Sequence, residues 1–239
     1  MACTPEGTTM IRCNGVHHLA ISTADIKAQI EFMNDVLGME LVALYWMHGV
    51  EGAWHGFLKL DDHSYIAFVQ TPAIAKIGRE LGVSHSGSPG GLSAGGTMQH
   101  LAFNVDTLEE LLAFRDRIRS RGVSVIGPIH HGLCDSIYFA GPEDLSLEIA
   151  TSERAIDGRA WIDPEVVALA SISPAELARF RAPEPVSLTG GVRAQPPLDT
   201  SKPTMRGWPP GVYEQLAALS DAEFTARMSE TEPPVKVED

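Results

Sequence analysis

Cysteine is scarce in this chain, with only Cys3, Cys13 and Cys134 among 239 residues. Their number is odd and their spacing too wide for a CxxC zinc site or a disulfide framework, so reduced thiols are expected. Long apolar runs are lacking too, and none approaches the roughly 20 residues that span a bilayer. The opening stretch, MACTPEGTTMIRCNG, has neither a charged n-region nor an apolar h-region, which points to a cytoplasmic location. Positive charge is in deficit: 18 Lys and Arg stand against 31 Asp and Glu, for a net charge of −13. Such a surface repels nucleic acid and anionic membrane at long range, leaving small molecules and further copies of the chain as expected partners.

What is present is enough for a globule, since 44% of the residues are hydrophobic and 21% charged. The most informative pattern is an internal repeat. HHLAISTADIKAQIEFMNDVLGMELV from His17 resembles QHLAFNVDTLEELLAFRDRIRSRGVSVI from Gln99 once the shared HLA is superposed. Each copy reads as strand, helix, strand. Ile26, Ile30, Met33 and Leu37 recur at helical spacing in the first, as do Leu108, Leu111, Leu112 and Ile118 in the second. Gly38 and Gly122 follow the helices where a left-handed cap is wanted.

Three β-like runs follow each helix: ELVALYWM, WHGFLKL and YIAFVQ, then VSVIGPI, CDSIYFA and LSLEIAT. The fold class expected is therefore α+β, with paired βαβββ modules forming an open, curved sheet around a ligand site. Module one covers about 15–72 and module two about 98–151, joined by a Gly/Ser-rich loop over about 73–97 that could serve as a lid. Together they make one domain over 1–151, and 152–239 form a helical and irregular extension. In that extension Asp163-Pro164 and the Ser173–Glu176 capping box announce two short helices, and Ser220–Glu223 a last one. The tail is expected to wrap on the core or on a partner subunit, with its final residues disordered. Its helices lack a core of their own, which favours a homo-oligomer.

Strand alternation sorts the histidines. Leu19 and Ile21 suit the face under the helix, which leaves His18, Ala20 and Ser22 on the other face. In the second copy Leu101 and Phe103 take the buried role, so His100 occupies the position of His18. On the closing strand, Leu145, Leu147 and Ile149 share one face and Ser146, Glu148 and Ala150 the other. A carboxylate between apolar neighbours is costly unless paired or bound to metal. For one histidine, backbone hydrogen bonding is the ordinary alternative to ligation, but two at equivalent repeat positions favour a metal. Glu148 has no arginine close in sequence as an obvious ion-pair partner. Two imidazoles and one carboxylate leave open coordination positions, the set that non-haem Fe(II) chemistry uses.

On these residues the chain resembles the vicinal-oxygen-chelate superfamily, which includes glyoxalase I, fosfomycin- and bleomycin-resistance proteins, methylmalonyl-CoA epimerase and type I extradiol dioxygenases. The resemblance covers about Gly15 to Thr151. It implies metal ligation by His18, His100 and Glu148. Glyoxalase-like members carry a fourth ligand near the position of Ala67, where nothing can coordinate, so the pattern is closest to the dioxygenase branch. IHHGLCDSIYFAGPEDLSLE nearly fits the extradiol signature, with His131, Ile137, Tyr138, Pro142 and Glu148 matching; Gly141 and Asp144 depart from it. The resemblance implies that His131 and Tyr138 act on bound substrate and that His63, in FLKLDDHSYIAF, acts as acid/base. For His131 the alternative is a solvated turn residue, and for Tyr138 an ordinary strand aromatic.

The implied function is ring cleavage of a catechol-like aromatic by O2, with Fe(II), or Mn(II) in its place, as cofactor. Two rivals remain open. One is a lyase, isomerase or epimerase that uses the metal as a Lewis acid; the other is a small-molecule-sequestering resistance protein without turnover.

Overall fold

The computed structural model describes residues 10–153, 155–187 and 191–237; Cys3 and the last two residues lie outside these. The chain divides into two compact units, a smaller one of 1–14, 47–51 and 184–239 and a larger one of 15–46 and 52–183. In the smaller unit β1 (Met10–Ile11) pairs antiparallel with β10 (Val186–Ser187), and two short helices follow, α5 (Val212–Ala217) and α6 (Asp221–Met228). Helix α6 starts at the anticipated box, Ser220 accepting from the Glu223 amide and Glu223 reaching back.

The larger unit holds both modules. The first runs β2 (His18–Ser22), α1 (Ile26–Asp35), β3 (Glu40–Trp46), β4 (Trp54–Asp61) and β5 (Ser64–Gln70). The second runs β6 (Leu101–Asn104), α2 (Leu108–Ser120), β7 (Val125–His130), β8 (Asp135–Ala140) and β9 (Ser146–Thr151). Helices α3 (Pro164–Leu169) and α4 (Pro174–Arg181) begin at Asp163 and Ser173 as expected and belong with this unit, although composition shifts at Thr151. The eight module strands form two four-stranded mixed sheets, ordered β2-β5-β4-β3 and β6-β9-β8-β7. In each, the first and last strands of the module run parallel and the other pairs antiparallel. The class is α+β.

Local chemistry explains the elements. Asp25 caps α1 by accepting from the Ala28 amide, and Thr107 and Glu110 close a capping box on α2. Each helix lays its apolar face on its sheet: Met33, Leu111 and Ile118 are fully buried, among Leu58, Phe68, Leu147 and Ile149. Each such side chain contributes about 1.5–3 kcal/mol relative to exposure. Leu19 and Ile21 pack against this core, as alternation predicted. Two polar clasps join the modules on the helix side. Arg117 on α2 donates to the carbonyls of Val36 and Asp35 at the end of α1, both at 2.9 Å. Glu143, in the turn before β9, accepts from the Ala24 amide at 2.9 Å and Gln29 Nε2 at 2.9 Å, from the Thr23 hydroxyl at 2.5 Å, and pairs with Arg79 at 3.4 Å. Among the described residues no helix is long and apolar enough to cross a membrane.

Candidate metal centre

Residues opposite one another across a ladder share a face, so register decides what can meet. In module two, Ala102 on β6 lies opposite Glu148 on β9, which lies opposite Tyr138 on β8. Immediately before β6, His100 reaches Glu148, with Nε2 2.9 Å from Oε2; the Glu148 side chain is 6% exposed and that of His100 34%. The His131 ring meets Tyr138, Nε2 to hydroxyl, at 3.0 Å. His131 sits in the turn after β7, where its amide donates to the Cys134 carbonyl at 2.9 Å. Thus His100, Glu148, Tyr138 and His131 form one contiguous group. Burial pushes the Tyr138 phenol above its ordinary pKa and the Glu148 charge adds to this, while a hydrogen bond with Ser136 works against it.

Sequence reasoning passed over Gln99, which orients this group. Its Oε1 is hydrogen-bonded to His100 Nδ1, and its Nε2 donates to the carbonyls of Pro89 at 2.8 Å, Gly91 at 3.1 Å and Ser88 at 3.3 Å. Three carbonyl acceptors fix which end of the amide is nitrogen. An amide oxygen can only accept, so His100 Nδ1 carries a proton, and Nε2, which meets Glu148, is the ring nitrogen that would face an ion. The Gly/Ser-rich loop is therefore the support of the histidine's orientation. Its turn needs glycine at 91, where a Cβ would lie 2.0 Å from the Ser86 carbonyl oxygen.

Module one repeats the register without the carboxylate. Ala20 lies opposite Ala67, which lies opposite Phe57. Ala67 thus stands where Glu148 stands in module two. His18 bonds through Nδ1 to Nδ1 of His17 at 3.0 Å, and the repeat aligns His17 with Gln99. Comparing the residues that precede the two histidines would have singled out both. A third omission is His55 on β4, which shares the face of His18, with ring centroids 6.4 Å apart. It is 8% exposed, packs at 4.4 Å on Phe57 and 5.9 Å on Tyr45, and its Nε2 has no partner among the described residues. Burial holds its pKa below the ordinary histidine value, and His18 lowers it further. His63 occupies the exposed turn between β4 and β5, off the strand face.

The fit to a metal is good in part. A buried carboxylate facing an imidazole nitrogen of fixed orientation is a sound two-donor set. Within one chain it goes no further: among the described residues no three His, Cys, Asp or Glu side chains come together to hold an ion. His18 is not brought to His100 and Glu148.

Residues 15–149 match the model of the Glyoxalase/Bleomycin resistance protein/Dioxygenase superfamily. The chain belongs to this superfamily. A curated relative, biphenyl-2,3-diol 1,2-dioxygenase 2 of Rhodococcus globerulus, is 26% identical over 133 residues, which are 55% of this chain and 60% of that protein. The chain thus spans about three-fifths of the length of that relative. Among solved structures, a glyoxylase/bleomycin resistance protein/dioxygenase domain from Frankia sp. EAN1pec is similar at 13% identity and a TM-score of 0.47, covering 59% of this chain and 99% of that one. Lactoylglutathione lyase from Agrobacterium tumefaciens is similar at 17% identity and a TM-score of 0.42, covering 59% and 96%.

Proposed function

We propose that this superfamily member is an extradiol-type ring-cleaving dioxygenase acting on a catechol-like aromatic, with non-haem Fe(II), or Mn(II) in its place. The observation that carries the reading is the contiguous group on module two, in which a candidate ligand pair, His100 and Glu148, adjoins the hydrogen-bonded His131 and Tyr138. The similarity to a diol dioxygenase supports it, as does alanine at position 67, which leaves no carboxylate for a fourth protein ligand. His18, His100 and Glu148 would hold the ion, which would draw in the two vicinal oxygens and pass electron density to O2. Tyr138 and His131 would hold a proton at a substrate oxygen, the imidazole accepting from the phenol or returning the proton. His63 is the candidate acid/base of module one. O2 would be consumed one for one with the diol, one ring C–C bond would break, and both oxygen atoms would stay in the product.

An oxygen electrode with a panel of catechols and bicyclic diols, read beside product mass spectrometry, tests this. His131→Phe is expected to slow turnover about 100-fold or more while leaving metal content unchanged. Conversion of a hemithioacetal or epimerisation of a thioester at full rate without oxygen would replace this reading with a lyase or isomerase.

A further inference from the structure

One buried polar atom on the open face of module one has nothing to bind. His55 Nε2 has no hydrogen-bond partner among the described residues, on a residue that is 8% exposed. Alternation along β4 sets its direction. Gly56 lies under α1, where a Cβ would come within 3.2 Å of Ile26, and Leu58 is fully buried in the core, so His55 and Phe57 take the opposite face. That face is otherwise built from rings. The Phe57 centroid lies 4.4 Å from that of His55, 5.5 Å from His18, 6.1 Å from Tyr65 and 6.2 Å from Tyr45, with its plane parallel to Tyr45 and edge-on to Tyr65. A phenylalanine at position 55 would continue this surface without stranding a donor or acceptor. The imidazole leaves a buried nitrogen unsatisfied unless a group from outside meets it.

We propose that His55 is a specificity-determining residue: its Nε2 binds a hydroxyl group that the aromatic substrate carries in addition to its two vicinal oxygens, while Phe57 and Tyr45 hold the ring. The proposal rests on the dioxygenase reading above, in which His18 helps to hold the ion, and adds what else the substrate bears. His18 and His55 share one face with their rings 6.4 Å apart, so a diol drawn to an ion on His18 lies against the same aromatic surface. A hydroxyl is the fitting group because it can donate to or accept from an imidazole nitrogen, and so suits either tautomer. A carboxylate could only accept, and burying one among rings on a chain of net charge −13 is less favourable. A site that hydrogen-bonds a substrate hydroxyl rejects the analogue without it far better than an apolar pocket discriminates by size.

Anaerobic calorimetry on the full-length protein loaded with Fe(II) tests this, using catechols matched in shape that differ by hydroxyl against methyl at one ring position. The pairs are pyrogallol with 3-methylcatechol and 1,2,4-benzenetriol with 4-methylcatechol. In at least one pair wild type is expected to bind the hydroxyl member about 10-fold or more tightly than its twin. In His55→Phe that preference should vanish, and in His55→Gln, whose amide can both donate and accept, part of it should return. Intrinsic differences between twins cancel when their affinity ratio is compared across variants. Thermal melting checks that both variants are folded, and the wild-type pairs test the proposal even where one is not. If wild type shows no hydroxyl preference in either pair, or if His55→Phe keeps the preference, His55 does not read the substrate, and cleavage of any of these catechols with uptake of one O2 would leave the dioxygenase reading standing. If wild type neither binds nor cleaves any of the four, both fall.

Discussion

At the position where module two carries Glu148, module one carries Ala67, although each lies on a closing strand opposite an alanine of the opening strand. On the next strand across, Tyr138 in module two stands where module one has Phe57, a phenol against the same ring without its hydroxyl. The scaffold is duplicated and the polar chemistry is not. Module two gathers the carboxylate, the phenol and the turn histidine, whereas module one presents rings, with His18 and the buried His55 as imidazoles on that face. A repeat thus conserves register, which backbone pairing enforces, and leaves the side chains on the open face free to divide labour.

That contrast breaks most sharply at its defining pair. Glu148→Ala should weaken Fe(II) binding by more than about 100-fold, beyond what loss of an outer-shell group costs, while Ala67→Ser should leave it unchanged. Metal analysis of anaerobically purified protein checks both, and full occupancy in the Glu148 variant would show the wrong ligand was chosen. Gln99→Ala should follow with a loss of about 10–100-fold in affinity, since it frees the His100 ring without removing it. Titration with a chelator-buffered ion measures this.

Next in size is a stability effect at the clasp. Burial alone would raise the pKa of Glu143, but hydrogen bonds from Thr23, Gln29 and the Ala24 amide, with the Arg79 charge, hold it below the ordinary glutamate value. A lowered carboxylate pKa stabilises the fold above the unfolded-state value, and the contribution is lost as pH falls through the folded-state value. Glu143→Gln should therefore cost about 1.5–3 kcal/mol at neutral pH, and the difference in Tm from wild type should shrink on acidification. A gap in Tm that stays constant with pH would assign the effect to shape, not charge.

The smallest effect is expected at His55. With Nε2 unpartnered, replacement by Phe should change stability by less than about 1.5 kcal/mol at neutral pH. The unfolded chain takes up its proton first as pH falls below the ordinary histidine value, so wild type loses stability from there toward the lower folded-state value. His55→Phe should flatten that part of the profile, measured by denaturant unfolding across the acid range.

Much of this was legible in the sequence. The HLA repeat fixed both helices and their core faces, and alternation on LSLEIAT turned Glu148 toward the side of His100. What could not be read was which donors meet in one chain. That depends on contacts such as Thr23 with Glu143 and Arg117 with Val36, separated by 120 and 81 residues and without periodic signal. His63 fell in a turn because one residue decides where a hairpin reverses, and alternation holds only within the strands. His17 and Gln99 were missed for a different reason: a polar residue beside a ligand looks incidental until its bond to the ring is seen.

The far margins of the two sheets have a consequence for how large an assembly can grow. Strand β3 shifts register between Leu41 and Ala43, and β7 between Ile126 and Ile129. In β7 the irregularity is built from Gly127, at φ 111° and with no room for a Cβ against the Ser136 carbonyl, and from Pro128, which has no N–H to offer. Leu44 and Trp46 on β3 are 51% and 69% exposed, the composition of a strand that would recruit others if it were straight. A kinked rim is a poor template for another strand, so these edges resist the runaway stacking that leads to fibres. With both far edges blunted, the mass of any assembly should not climb without limit as concentration rises.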